Sequence, residues 1–289
     1  MQSLKLLSPA KINLRLDVLD KRSDGYHNLR NIMDLVTGIA DEVEISIVEK
    51  NLSVTCDHES VPDDEENIAF RALKEILAYS SRNVGVEVSI KKHIPVASGM
   101  GGGSSNAATV IKGINDLLKL KLPTEKLVKI GAKVGSDVPF FILEAPALAE
   151  GMGDELTPIK SLPKLPLLVI NPGIRVSTAA VYHRVSSSRR HRQLEELPLS
   201  YRTKKDVIDV LHNDLQRITF REIPVLKEIE EEMIASGASA SMMTGSGPTI
   251  FGIFSDKNSL HKAFEKFKKN APETWQIFEA ETVGTSKKA

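Results

Sequence analysis

The feature that most limits what this chain can fold into is the run Pro95-Val96-Ala97-Ser98-Gly99-Met100-Gly101-Gly102-Gly103-Ser104-Ser105, which joins two segments of different periodicity. Upstream, Val84, Val86, Val88 and Ile90 alternate with polar or small residues, as in a strand; downstream, Ala107, Val110, Ile111, Ile114, Leu117 and Leu118 recur at helical spacing. The glycines therefore sit at a helix N-terminus. They permit positive φ and close backbone approach, and the free amides of the first turn, with the helix dipole behind them, favour an anion. Ser104 and Ser105 add hydroxyls that can donate to that anion or face a metal. A flexible Gly/Ser linker would need neither the strand feeding it nor the amphipathic helix leaving it. No Gly-Lys-Ser/Thr closes the loop, and its glycine spacing is not that of a dinucleotide fingerprint, so the expected phosphate site belongs to another class.

Composition narrows the partners. The 289 residues suit two domains or one large one, and a hydrophobic share of 41% supports a proper core. Acidic and basic residues number 38 each, so no global field draws in a nucleic acid or an anionic membrane; a small-molecule partner is expected instead. The single cysteine, Cys56, excludes an intramolecular disulfide framework and a multi-cysteine zinc site, and is expected as buried filler in a reducing compartment. Apolar runs such as Leu165 to Ile170 fall far short of the ~20 residues of a spanning helix. Lys5 and Lys11 interrupt the N-terminal leucines, so no signal peptide is visible and the cytoplasm is the expected address.

Along the chain, Ile12, Leu14, Leu16 and Val18 alternate with Asn13, Arg15 and Asp17, which predicts a half-buried strand with Lys11, Asn13 and Arg15 on one face. Arg22-Ser23-Asp24-Gly25 reads as a turn, and Val43, Ile45 and Ile47 resume the alternation. Ile68, Ala69, Ala72, Leu73, Ile76 and Leu77 mark a helix, and another is expected from Thr124 behind Pro123. The periodicities lapse around Pro158, Pro163 and Pro166, which places a domain boundary near residue 160, giving domains 1–160 and 161–289. Beyond it, Leu167 to Asn171 reads as a strand, and helices are expected near Thr178 to Val185 and Pro224 to Ser236. A final helix-strand-strand-helix-strand unit follows, its middle strands flanking Thr244-Gly245-Ser246-Gly247-Pro248 and its last helix lined by Leu260, Ala263, Phe264 and Phe267. The basic run Arg189, Arg190, His191 and Arg192, within the weakly patterned Ser186 to Lys205, is expected as a solvated loop and is assigned no role.

Three further elements carry polar chemistry. Gly135-Ser136-Asp137-Val138-Pro139-Phe140-Phe141 sets one carboxylate on a constrained backbone; taken alone, Asp137 is either a helix N-cap or a catalytic base, and the cap is the commoner use. Lys11 alone is either a solvated strand lysine or a catalyst. Ser23-Asp24-Gly25-Tyr26-His27-Asn28 is a turn followed by an aromatic pair that could simply pack on the sheet.

Taken in order, Pro9-Ala10-Lys11-Ile12-Asn13-Leu14, Asp24-Gly25-Tyr26-His27, Pro95 to Ser105 with Asn106-Ala107-Ala108, Gly135-Ser136-Asp137-Val138-Pro139 and Thr244-Gly245-Ser246-Gly247 make the chain resemble the GHMP kinase superfamily over essentially its full length. The glycine loop carries the superfamily. The Asp-Gly-Tyr-His element after the first strand points, within it, to kinases whose substrate bears a cytidine diphosphate.

The resemblance implies an α+β fold of two domains, an N-terminal one like certain ribosomal proteins and a C-terminal one with a ferredoxin-like core, with the active site in the cleft between them. It implies ATP with Mg²⁺, the phosphates resting on Pro95, Val96, Ala97, Ser98, Gly99, Met100, Gly101, Gly102, Gly103, Ser104 and Ser105, and the adenine near Asn67 and Lys92. Carried over, Lys11 and Asp137 form the catalytic pair and Asn13 is a neighbouring polar contact. Tyr26 and Tyr182 enclose the cytosine ring, His27 reads its polar edge, and Thr178 lies close by. No carboxylate is assigned to the metal; Ser105 is the candidate ligand. Ser98 and Met100 stand where alanine and leucine are expected, small or volume-conserving departures that leave the glycines alone. Tyr182 holds a position that can be phenylalanine, and either ring offers a stacking face. Two other readings stay open at this stage: a GHMP kinase acting on homoserine, mevalonate or a sugar, and a non-catalytic nucleotide-binding module, against which the balanced charge and 5% aromatic content speak.

Overall fold

The computed structural model describes residues 2–81, 84–185 and 196–285. The basic run Arg189 to Arg192 lies outside them. The chain forms two compact units that interleave along the sequence: Met1–Ala10, Ile39–Val96 and Gly101–Glu144 make the first, and Lys11–Gly38, Ala97–Met100 and Ala145–Ala289 the second. The interleaving arises because the first two strands, β1 (Ser3–Lys21) and β2 (His27–Val48), are 19 and 22 residues long and each contributes to both units.

In the first unit, the later half of β2 pairs antiparallel with β4 (Gly85–Lys91), from Glu42 opposite Lys91 to Val48 opposite Gly85, and β3 (Leu52–Cys56) lies parallel along the other edge of β4. Alternation builds β4: Val86, Val88 and Ile90 are buried while Glu87, Ser89 and Lys91 face out. Helix α1 (Ile68–Leu77) buries Ala69, Ala72, Leu73 and Ile76, an apolar stripe at the helical period. It is followed by α2 (Gly102–Leu117), α3 (Thr124–Val134) and the short α4 (Val138–Leu143). Cys56 is free and half-buried rather than fully enclosed, and burial holds its thiol above the ordinary range.

The second unit adds the hairpin β5 (Ala147–Glu150) and β6 (Glu155–Pro158), then β7 (Pro166–Asn171), α5 (Thr178–His183), α6 (Lys204–Ile208), β8 (His212–Asn213) and α7 (Gln216–Glu222). The expected helix-strand-strand-helix-strand order closes it: α8 (Val225–Ala235), β9 (Ala240–Met243), β10 (Ile250–Ile253), α9 (Lys257–Asn270) and β11 (Gln276–Thr282). Strands run β11-β7-β10-β9, each neighbour antiparallel, and β7 is buried at all six residues because it lies inside the sheet. On its other side β11 pairs with β2, Thr282 opposite Val36. Leu168, Ile170, Ile229, Met233, Leu260, Ala263, Phe267 and Ile277 make a common core, with Phe264 packed at its margin. No described helix is long and apolar enough to cross a membrane.

The stretch Arg30–Val36 of β2 is buried at every position. Its polar members each have partners: Arg30 bonds Asp17, and Asn31 accepts from Asn13. Asp17 also takes both ends of the Arg15 guanidinium at 2.7 and 2.9 Å, while His212 bonds Asp214 at 2.9 Å. Asp17, His212 and Asp214 lie close enough to surround a cation, yet guanidinium groups already occupy both Asp17 oxygens, so this is an ion-pair network.

Asp34 is fully buried; Gly284 N–H donates to its Oδ2 at 2.9 Å, and its Oδ1 has no partner. Burial pushes its carboxyl from the ordinary 3.8 up to about 7. The folded protein thus holds this proton where the unfolded chain releases it, so the stabilisation is complete below about pH 4 and is lost as pH rises through about 7. Urea unfolding of the wild type and Asp34→Asn from pH 4 to 8 is expected to show the wild-type stability falling relative to the variant and levelling above about pH 7. Parallel curves would disprove the assignment.

Candidate active site

Between β4 and α2 the backbone alternates in hand: φ is +54° at Ala97, +77° at Gly99 and +72° at Gly101. Alternation of this kind turns successive N–H groups toward one concave side, the form that holds anions. Gly101 is the N-cap of α2, and no side chain caps the helix, so its first-turn amides are not taken up by a cap. The Ser98 hydroxyl accepts from Met100 N–H at 3.4 Å, a turn inside the loop that alanine could not make. Gly99 is required sterically as well as by its φ, since a Cβ there would lie 2.3 Å from the Thr244 carbonyl oxygen. Lys11 N–H donates to the Met100 carbonyl at 3.1 Å, fixing this part of the loop to β1.

Beneath the helix start lies a buried polar knot centred on Asp41, which is fully enclosed. Its Oδ1 accepts from the N–H groups of His93 and Ile94, each at 2.8 Å, and its Oδ2 accepts from Asn106 Nδ2 at 2.9 Å and from the Lys92 ammonium. Asn106 also donates to Ser8, whose hydroxyl donates to Ser105 at 2.7 Å. Three of the residues expected at the nucleotide and its metal are engaged here. Ser105 is wholly buried with its oxygen engaged by Ser8, so it does not fit as a Mg²⁺ ligand. Lys92, its side chain 6% exposed, is spent on Asp41, and Asn67 serves as the N-cap of α1, accepting from Ala69 N–H while its amide donates to the Pro62 carbonyl. Sequence reasoning missed Asp41 although a signal existed: it sits two residues before Val43 on the core-facing side of β2, where a carboxylate must have a structural reason.

In the second unit, Lys11 and Asn13 are two apart on β1 and so share a face; both are buried. The Lys11 ammonium donates to Asn13 Oδ1 at 2.5 Å. Asp137 belongs to the first unit. It occupies the N-cap position of α4, but its side chain makes no capping bond, so the structural use that the sequence favoured is not the one realised.

The residues expected at a cytosine ring fall in the second unit. Arg22–Gly25 forms the anticipated turn, closed by Arg22 N–H donating to the Tyr26 carbonyl at 2.8 Å, and Tyr26 is 67% exposed. The rings of His27 and Tyr182 face one another with centroids 5.9 Å apart and planes 29° apart. Burial, with help from the nearby Lys21 charge, lowers the His27 pKa below its ordinary value and favours the neutral ring, which both donates and accepts. Thr178 begins α5 and bonds the Ser246 hydroxyl at 2.9 Å, beside the Thr244-Gly245 turn.

An uncapped helix start behind a loop of alternating hand, with an exposed aromatic turn and a buried lysine elsewhere on the chain, is the equipment of a nucleotide-dependent phosphotransferase. Residues 67–145 match the GHMP kinases N terminal domain and residues 200–273 the GHMP kinases C terminal family. The chain belongs to the GHMP kinases, and is an ATP-dependent small-molecule kinase. A relative from Geobacter sp. (strain M21), a 4-diphosphocytidyl-2-C-methyl-D-erythritol kinase, is 47% identical over 93% of this chain and 96% of its own. A crystal structure of 4-(cytidine 5'-diphospho)-2C-methyl-D-erythritol kinase is 30% identical with TM-score 0.77, covering 96% of this chain and 99% of that one. Homoserine kinase from Cytophaga hutchinsonii, 17% identical over 98% of this chain and 95% of its own, has a TM-score of 0.75. That likeness shows the fold alone.

Removing the Asp41 carboxylate would leave the Lys92 ammonium buried without its counter-charge. Asp41→Leu is expected to cost about 3–5 kcal/mol of unfolding free energy, and adding Lys92→Met to recover part of it. Chemical denaturation measures both; a single variant within about 1 kcal/mol of wild type would refute the role.

Proposed function

We propose that this kinase transfers the γ-phosphoryl group of ATP to the 2-hydroxyl of 4-diphosphocytidyl-2-C-methyl-D-erythritol, yielding the 2-phosphate and ADP, a step in the methylerythritol phosphate route to isoprenoid precursors. The observation that carries the choice of acceptor is the facing pair His27 and Tyr182 behind the Asp24-Gly25-Tyr26 turn. A homoserine kinase has the same fold, so the fold does not select the acceptor; a pair of rings with a neutral imidazole suits a pyrimidine and has no purpose for homoserine, mevalonate or a hexose. The named relatives support the same choice.

Phosphoryl transfer passes through a loose, highly charged transition state, so the protein's task is to position groups and neutralise charge. Loop and first-turn amides from Pro95 to Ser105 cradle the phosphates. Asp137, free of a capping duty, takes the proton from the acceptor hydroxyl; as a carboxylate is a weak base toward an alcohol, that transfer comes late, as the new P–O bond forms. Lys11 stabilises the charge on the attacking oxygen, with Asn13 beside it. The reading requires Lys11 and Asp137 to serve one hydroxyl. Mg²⁺ would supply charge neutralisation on the nucleotide when bound. The reading also includes a ribosomal-protein-like first domain and a ferredoxin-like core in the second, the latter supported by the antiparallel sheet order β11-β7-β10-β9 with α8 and α9, with a cytoplasmic setting for the pathway.

Coupled-assay ADP release is expected with Mg²⁺-ATP and the cytidyl substrate, and not with homoserine, mevalonate or galactose; turnover of one of those three in preference would overturn the assignment. Asp137→Asn is expected to lower kcat by roughly 10² to 10⁴-fold while calorimetry shows ATP still bound. Near-normal kcat would remove Asp137 from the mechanism. Tyr182→Ala should raise KM for the cytidyl substrate by about 10- to 100-fold, the loss of one base stack, with KM for ATP unchanged.

A further inference from the structure

We propose that Asn31 and Thr244 are positioning residues that act through Asn13 to fix the direction of the Lys11 ammonium. This deepens the reading above and rests on its assignment of Lys11. All four side chains are at least nine-tenths buried and lie in the second unit. An ammonium has donors only, so Asn13 can hold Lys11 with the oxygen end of its amide and would repel it with the nitrogen end. The two ends have nearly the same shape, so packing alone does not choose between them; the neighbours must.

Two neighbours make the choice. Asn13 Nδ2 donates to Asn31 Oδ1 at 2.8 Å, on the adjoining strand β2, which holds the nitrogen end away from Lys11. Thr244 supplies the complementary constraint. Its hydroxyl oxygen accepts from the Asn13 backbone N–H at 3.0 Å, and the hydroxyl donates to Asn13 Oδ1 at 3.0 Å, nearer than the Gly99 carbonyl at 3.5 Å. The carbonyl of the same residue abuts Gly99, so the hydroxyl that orients Asn13 is carried by the turn packed against the nucleotide loop. Together these buried bonds favour the Asn13 orientation that turns its oxygen to the Lys11 ammonium.

A purely structural role for these side chains would lower stability and leave the turnover of the folded protein alone. The test is therefore a cycle on kcat. Thr244→Val, which keeps shape and loses the hydroxyl, and Asn31→Leu are each expected to lower kcat about tenfold, the scale of one hydrogen bond, with KM for ATP and for the cytidyl substrate within about twofold of wild type. Thr244→Ser and Asn31→Asp, which restore the hydroxyl and the acceptor, are expected to recover kcat to within about threefold. In a Lys11→Met background, Thr244→Val is expected to have no further effect on kcat, because the group it positions is gone. If Lys11→Met itself keeps near-normal kcat, the assignment of Lys11 fails. If Lys11→Met is impaired but Thr244→Val and Asn31→Leu turn over like wild type, or still cost tenfold in the Lys11→Met background, the positioning role fails and the assignment of Lys11 stands. Circular dichroism on each variant restricts the comparison to folded protein; Asn31 reaches Asn13 from β2 and Thr244 from the turn after β9, so either variant alone supports the cycle.

Discussion

The carboxylate of Asp41 is the interaction on which the glycine loop depends. Two of its four hydrogen bonds go to the backbone just before the glycine loop, at His93 and Ile94, and a third to Asn106 in the helix just after it. A loop with four glycines has little conformational preference of its own, so its span must be set by what lies at its two ends. One buried side chain holds both ends at once. The Lys92 ammonium makes that tolerable, since an isolated carboxylate at full burial would be too costly to remain ionised.

Within the second unit, the loop residues Ala97–Met100 meet a different kind of constraint. Gly99 meets the Thr244 carbonyl so closely that no side chain fits, and the neighbouring Met100 carbonyl takes the Lys11 N–H. Polar knots and steric exclusion thus divide the work: the first sets where the loop begins and ends, the second sets its path between. The lysine assigned to catalysis takes part in this through its main chain while its side chain is oriented by Asn13.

Regular periodicity was readable where one face of an element is wet. Helix α1 spans the residues that its apolar spacing marks, β4 carries the expected alternation, and the closing α8-β9-β10-α9-β11 series appears in the expected order. The middle of β2 escaped because Arg30, Asn31 and Asp34 interrupt the alternation, and they do so because that stretch is buried on both faces and uses its polar groups internally. The same cause hid part of the site. The bonds of Ser105 to Ser8 and of Asn67 to the start of α1 are long-range or capping facts that spacing does not record. Asp137 holds the position of a cap, the commoner use of an Asp there, yet its side chain is not used as one.

Strand β11 has a consequence for how the chain is made. It lies inside its sheet, flanked by β7 and β2, yet follows every other strand in the sequence. Every residue of the first unit precedes position 145, so a nascent chain emerging from the ribosome has all of that unit to work with early. The second must wait with an open slot, two exposed strand edges side by side, until the final segment threads in and seals them.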